Sequence, residues 1–286
     1  MQGRTLACTA FALVAFASNS ILCRLALGPG AIDPAAFTAV RLASGAVILA
    51  LLARTAAAPV PTARRGGWRS GFFLFAYAIA FSFAYVTLTA GTGALILFAS
   101  VQATVIAGAI RSGERLGLAE WAGLAVALGG LAYLTAPGLT APPLAGSVLM
   151  AVAGVAWGVY TLRGRGSTAA LADTTRNFVR AAPMGLVALA FAASRLHLSA
   201  RGALLAAVSG ALASGLGYAV WYAALRGLSA TRAATVQLAV PVIAAFGGVA
   251  LLSERVTPRL LLSAVLILGG VGLALFGRAR LVRRRV

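Results

Sequence analysis

The chain has 286 residues, of which 61% are hydrophobic and only 10% are charged, and its mean hydropathy is +0.95. This composition lies far outside the range of soluble proteins and leaves no room for a soluble domain. The net charge of +19 comes from 24 basic residues, all arginine. They collect at alternate connections between apolar segments instead of forming one basic surface, which excludes a nucleic-acid-binding protein.

Ten apolar segments follow one another along the chain, each long enough to cross about 30 Å of hydrocarbon. The first has the basic start and apolar run of a signal peptide, but we interpret it as a helix because nine more segments follow. Asp33-Pro34 and Asp173 are typical of helix starts and are predicted to cap the second and seventh helices. The predicted spans are 5–27, 34–54, 69–89, 92–111, 117–136, 143–163, 173–194, 203–225, 231–252 and 257–278.

Landmarks in the first half of the chain recur in the second half at a nearly constant spacing. Arg24 and Arg163 are 139 residues apart, and so are Arg41 and Arg180. Because five segments per copy is an odd number, the second copy enters the membrane from the opposite side. The sequence predicts an all-α integral membrane protein with ten transmembrane helices in two inverted five-helix repeats. The predicted copies are residues 1–139 and 140–286.

The arginines between the segments predict the orientation. At alternate connections and the termini, 16 arginines fall on one side and 5 on the other. Positive residues concentrate on the cytoplasmic side, so both termini are predicted to be cytoplasmic, in the bacterial inner membrane. Inverted repeats are typical of secondary transporters that alternate between two states around a midplane site.

Two doubled motifs resemble those of a known family. Ser112-Gly113-Glu114-Arg115 and Leu252-Ser253-Glu254-Arg255 each precede a glycine-rich helix. Over essentially the whole chain this pattern resembles the drug/metabolite transporter superfamily, EamA family. Ala156-Trp157-Gly158-Val159-Tyr160 and Gly217-Tyr218-Ala219-Val220-Trp221 resemble its amino-acid exporters, including the aromatic amino-acid exporters. The resemblance implies export of amino acids, with a preference for aromatic or apolar ones.

Polar residues at mid-depth are the first substrate-site candidates. Gln102 and Phe98 are four residues apart and share a face of the fourth helix, and Gln237 lies at similar depth on the ninth. Pro241 has no N–H, which leaves the Gln237 carbonyl without its helical partner and predicts a hinge. These groups suit an ammonium or amide of a substrate. The alternative is that both glutamines only bind neighbouring helices.

Aromatic residues on the third, sixth and eighth helices share single faces, and the resemblance implies that these helices line a central cavity. Bundle packing or lipid contact is the alternative. The remaining cavity candidates are Asn19, Tyr77, Ser100, Trp157, Tyr160, Tyr218 and Trp221.

Arg41 and Arg180 lie about two turns inside their helices, where a charge is costly. They could bind a carboxylate or a phosphate. We predict a structural role for both instead, because the second and seventh helices are peripheral in the family. We predict structural roles also for Glu114 and Glu254, which fall at helix ends.

All five carboxylates fall at or near predicted helix ends, and the one histidine, His197, lies in an external loop. Because proton-driven transporters carry an ionisable relay within the membrane, the sequence predicts facilitated transport. It also argues against an enzyme. We expect no cofactor, no metal and no obligatory protein partner, only the lipid bilayer and a small-molecule substrate. Efflux of drugs, nucleotide sugars or sugar phosphates is the alternative function.

Overall fold

A computed structural model describes residues 2–55, 67–113, 116–138, 141–164, 167, 169–192, 196–228, 233 and 236–283. Over these ranges the chain forms ten helices, and its one strand-like feature is an isolated antiparallel bridge. The helices are α1 (Gln2–Leu27), α2 (Pro34–Thr55), α3 (Trp68–Ala84), α4 (Ala90–Arg111), α5 (Leu118–Thr135), α6 (Leu144–Gly164), α7 (Ala170–Phe191), α8 (Ala200–Leu225), α9 (Ala239–Leu252) and α10 (Pro258–Arg283).

Seven of these helices are long and apolar enough to cross a membrane, namely α1, α2, α4, α5, α6, α8 and α10. Helices α3 and α9 are apolar but shorter. Helix α7 has 22 residues, but its first half carries Asp173, Arg176 and Arg180. Over the described residues the chain is therefore all-helical, with several helices suited to cross a membrane.

Several predicted helix starts and ends differ from the structure by three residues or more. Helix α3 ends at Ala84, five residues earlier than predicted, and the described part of α9 starts at Ala239. Pro241 is the third residue of α9, which follows the helical residues 236–237 and a turn at Leu238. Asp33 caps α2 as predicted, because its Oδ1 accepts the Ala35 N–H at 2.8 Å.

The prediction that Asp173 caps the seventh helix is wrong. Helix α7 starts at Ala170, so Asp173 lies within its first turn. Its carboxylate accepts hydrogen bonds from the Ser167 hydroxyl and the Arg176 guanidinium. A carboxylate in the first turn also interacts favourably with the helix dipole.

Helices α5 and α10 are in very close contact through glycine. A Cβ on Gly123 would lie 2.4 Å from the Gly270 carbonyl oxygen, and one on Gly270 would lie 2.5 Å from the Gly123 carbonyl oxygen. Gly130 contacts α10 in the same way. A Cβ on Gly129 or Gly269, in contrast, would meet no atom within 4 Å. Small residues let the two backbones approach each other.

The other helix contacts form a regular pattern. Helix α3 packs on α6 and α7, and α8 packs on α1 and α2. Helix α4 packs on α6 and α9, and α1 packs on α9; α2 packs on α7. The contacts of α3 with α6 and α7 correspond to those of α8 with α1 and α2, and the contact of α4 with α6 corresponds to that of α9 with α1. These helix contacts thus recur when each helix number is shifted by five. The arrangement places α1, α3, α4, α6 and α8 around the centre of the bundle.

One end of the bundle is closed by paired loops, and we call it the closed end. Ile32 and Leu198 form the antiparallel bridge. The Asp33 N–H donates to the His197 carbonyl at 2.8 Å, and the Ser199 hydroxyl donates to the Ala31 carbonyl at 2.7 Å. The loop after α1 is therefore joined to the loop before α8.

Candidate functional site

A central cavity of about 360 Å³ lies among α1, α4, α6, α7 and α8. It reaches the bundle end opposite the closed end, where α6 finishes at Gly164, α7 begins at Ala170 and α8 finishes at Leu225. Asp173 and Arg163 line this end of the cavity. Arg163 is held there by a hydrogen bond from its Nε to the Ser70 hydroxyl at 3.1 Å.

Four aromatic side chains form the inner boundary of the cavity, and we call them the aromatic floor: Phe16, Phe98, Trp157 and Tyr218. The Phe98 and Trp157 ring centres are 5.9 Å apart, and those of Phe16 and Tyr218 are 5.4 Å apart. Tilted and edge-on ring pairs at these separations attract each other. The floor presents flat apolar surfaces to anything that enters the cavity.

The cavity wall also carries polar groups, contributed by α7. The Thr174 and Tyr222 hydroxyls are 2.6 Å apart and share a hydrogen bond. Asn177 donates from Nδ2 to the Tyr160 hydroxyl at 3.4 Å, while its buried Oδ1 has no protein partner. A buried acceptor without a partner is costly, so Asn177, which lines the cavity, keeps an acceptor oxygen that no described protein group uses.

A smaller space of about 10 Å³ lies on the other side of the aromatic floor. We call it the polar void. Besides the floor residues, it is lined mainly by Asn19, Ser20, Arg41, Tyr77 and Ser214.

Arg41 is 3% exposed and dominates the charge of the polar void. Its Nη2 donates to the Tyr77 hydroxyl at 3.0 Å and its Nε to the Ser214 hydroxyl at 3.4 Å. The guanidinium also lies over the Tyr77 and Phe81 rings, at 5.3 and 5.0 Å from their centres. Its Nη1 is buried and has no partner. None of the carboxylates in the described ranges forms an ion pair with it.

The polar void depends on an irregularity in α8. Residues Ser209–Leu216 form a π-helix, in which hydrogen bonds join residues five apart. Ser209 and Ser214 are five apart, and both donate to Oδ1 of Asn19, at 2.8 and 3.3 Å. Ser214 therefore links Arg41 to Asn19. π-Helical segments within α-helices occur often at functional sites.

The structure places nine of the ten predicted cavity residues at the centre. Phe98, Gln102, Trp157, Tyr160, Tyr218, Trp221 and Gln237 line the cavity. Asn19 and Tyr77 line the polar void. Ser100 lines neither space; its Cβ faces Gly154 of α6. Their roles in binding stay predictions.

The predicted structural residues fall into different places. Arg41 lies at the centre of the bundle. Arg180 is half-buried beside Gly71 of α3 and lines neither space. Glu254 forms an ion pair with Arg24, and Glu114 lies outside the described residues.

Several functional candidates were not predicted from the sequence. Phe16, Thr174 and Asn177 line the cavity, and Ser209 and Ser214 support the polar void. The polar spacing of Thr174 and Asn177, three residues apart on one face of α7, was an available signal. No sequence pattern indicated Ser209 and Ser214, because both point towards Asn19 only as a result of the π-helix.

A multi-pass helical bundle with a central cavity reaching one end is the architecture of a membrane transporter. The model of the EamA-like transporter family matches residues 144–276. The chain is 51% identical over 275 residues to an uncharacterized protein of Pseudomonas aeruginosa, covering 96% of each. A protein of known crystal structure has the same fold, with a TM-score of 0.68, 18% identity and full coverage of both chains. The chain belongs to the EamA-like transporter family, within the drug/metabolite transporter superfamily.

Proposed function

We propose that this transporter exports amino acids across the bacterial inner membrane, with broad specificity and a preference for aromatic or apolar side chains. The observation that carries this is the combination of an aromatic floor with the unpartnered Asn177 Oδ1 in one cavity. Rings stack on the floor, and an acceptor oxygen suits an ammonium group. Gln102 and Gln237 add amide groups to the same cavity.

The cavity size supports a small substrate. Ligand pockets range from about 300 to 1,000 Å³, and the 360 Å³ of this cavity is near the lower limit. An amino acid suits this space better than a nucleotide sugar does. The large share of aromatic side chains in the wall also favours an apolar substrate over a sugar phosphate.

We further propose ten crossings in two inverted repeats, with cytoplasmic termini, that work by alternating access. The recurrence of helix contacts after a shift of five supports this arrangement. The arginine distribution then puts the open end of the cavity, near Arg163, on the cytoplasmic side. An exporter takes up its substrate from that side, and the closed end faces outward.

Transport in this proposal is facilitative. Among the cavity-lining residues that the structure describes, Asp173 is the one carboxylate, and it lies near the cavity opening in an ion pair with Arg176. A proton relay needs an ionisable group that changes its access between the two sides. The charge of Asp173 is already compensated by Arg176, at the open end of the cavity.

The test is uptake of labelled amino acids into proteoliposomes, with and without a pH gradient. Saturable uptake of several apolar and aromatic amino acids that does not depend on the gradient is expected. Protein-free liposomes are the control. Strict dependence on the gradient would contradict facilitated transport, and no uptake of any amino acid would contradict the substrate class.

A further inference from the structure

We propose that Arg41 is an anion-binding residue that takes the carboxylate of the substrate in the polar void. The transported molecule is then a carboxylate whose apolar part stays on the cavity side of the aromatic floor. The inference builds on the proposed function only in the choice of amino acids as substrates. It applies equally to an aromatic acid that has no ammonium group.

The first argument is the charge of Arg41. A buried ion without a counter-ion costs several kcal/mol, and charged residues within a membrane are functional candidates by default. Structural arginines are usually compensated by carboxylates or by a full set of acceptors. Arg41 is 3% exposed, has no carboxylate partner in the described part of the chain, and leaves Nη1 without any acceptor.

The second argument is that the guanidinium is held in position. Tyr77 and Ser214 accept from Nη2 and Nε, and the π-helix orients Ser214. These contacts use two of the five N–H donors and leave three, both on Nη1 and one on Nη2. A guanidinium binds a planar carboxylate with two parallel hydrogen bonds when its donors are oriented in advance.

The third argument concerns the choice of anion. A carboxylate is planar and carries one charge, which matches the single charge of Arg41. A phosphate would bring up to two negative charges beside one cation, and the second would remain uncompensated in an apolar setting.

The aromatic floor separates the cavity from the polar void, and the four floor residues line both spaces. Trp157 and Tyr218 are half-buried. On the side of the polar void, the Trp157 ring centre lies 4.9 Å from that of Tyr77. A turn of the Trp157 or Tyr218 side chain joins the two spaces. The carboxylate then reaches Arg41, and the apolar part of the substrate takes the place of the displaced ring.

The experiment measures ligand binding to the purified full-length protein in detergent by isothermal titration. Four ligands share one benzyl group: phenylalanine, phenylalaninamide, phenethylamine and 3-phenylpropanoate. We expect the two carboxylates to bind at least tenfold more tightly than the amide and the amine. Equal binding of phenylalanine and phenylalaninamide overturns the role of Arg41 but leaves the proposed function intact. If 3-phenylpropanoate binds and phenylalanine does not, the result supports the role of Arg41 and contradicts amino-acid export.

Variants then assign the preference to one residue. Arg41→Gln is expected to abolish the discrimination between acid and amide, and Arg41→Lys to keep part of it. Arg180→Gln is the matched control, because Arg180 occupies the corresponding position in α7 but lines neither space. Unchanged discrimination in Arg41→Gln, or an equal loss in Arg180→Gln, overturns the assignment. Should Arg41→Gln not fold, the ligand series on the wild-type protein still decides.

Discussion

The Nε of Arg24 lies 3.5 Å from Oε1 of Glu254 and joins the last turn of α1 to the loop between α9 and α10. Both carboxylate oxygens of Glu254 also accept the Ala90 N–H at the start of α4, at 3.0 and 2.9 Å. Arg24 donates in addition to the Tyr85 and Val86 carbonyls after α3. Four parts of the chain therefore meet at one ion pair, at the closed end of the bundle.

Breaking this ion pair is expected to open the closed end, which the proposed orientation puts on the outside. Cys23 is 0% exposed and precedes Arg24, and Cys8 is far away near the start of α1. In a Cys8→Ser background, Arg24→Ala or Glu254→Ala should let an impermeant maleimide label Cys23 from outside several times faster. The rate of labelling in intact cells measures this.

Arg201→Ala is the control for the ion-pair variants, because Arg201 is an exposed arginine near the same end. The rate of Cys23 labelling in Arg201→Ala should equal that of the Cys8→Ser parent. Equal rates in all variants would show that the ion pair does not hold the outward side closed.

The carboxyl group of Glu254 also predicts a dependence on pH, because burying its charge costs the closed form more than the attraction of Arg24 recovers. Burial raises the pKa of Glu254, although the Ala90 N–H and Arg24 oppose the shift. A carboxyl group with a raised pKa in the closed form stabilises that form most below about pH 4.3, its ordinary pKa. This contribution is lost as the pH rises through the raised pKa. Cys23 labelling, corrected for thiol ionisation, should become faster over this range, and Glu254→Gln should remove the change.

Trp157 is expected to set the preference for aromatic substrates. Its ring lies 4.9 Å from Tyr77 and 5.9 Å from Phe98, in the floor that faces the cavity. Ring pairs contribute about 0.5–1.5 kcal/mol. Trp157→Leu should therefore raise the KM for phenylalanine about two- to tenfold and change that for leucine much less. Trp121→Leu, at an exposed site on α5, should leave both KM values unchanged; equal effects in the two variants would argue against stacking.

Gly210 is expected to be essential for the contact between α2 and α8. A Cβ there would lie 2.1 Å from both the Arg41 carbonyl oxygen and the Ser44 hydroxyl. Overpacking of this kind costs about 1–3 kcal/mol. Gly210→Ala should lower the Tm in detergent and weaken phenylalanine binding through Arg41. Gly269→Ala, with no neighbour within 4 Å, should leave both unchanged or raise the Tm slightly; a similar loss there would point to a general effect on helices.

The helices were largely predictable, because length and hydropathy fix where a chain can cross a membrane. The start of α7 was missed by three residues, since Asp173 matched the pattern of a cap and Ala170 carries no signal. Trp157 and Tyr218 line the central cavity, where helical spacing gave a shared face and the resemblance gave the central helices; their role in binding stays a prediction.

The environment of Arg41 could not be predicted in this way. The sequence placed it inside α2, but its partners come from α3 and α8, far away along the chain. Which face of α2 meets α8 depends on the close approach of Gly210, and the direction of Ser214 depends on the π-helix. Both are tertiary effects, and neither leaves a periodic pattern in the sequence.

The polarity of α7 has a consequence for biogenesis. Each arginine near the middle of a helix costs about 2.5–3.5 kcal/mol on insertion scales, and α7 carries Arg176, Arg180 and Asp173. It therefore inserts poorly as a lone segment leaving the translocon. Helices α2 and α3, which pack against it, are synthesised earlier. In the proposed arrangement of ten crossings, we expect the nascent chain to keep these two helices nearby until α7 emerges, which couples membrane integration of the second half to assembly of the first.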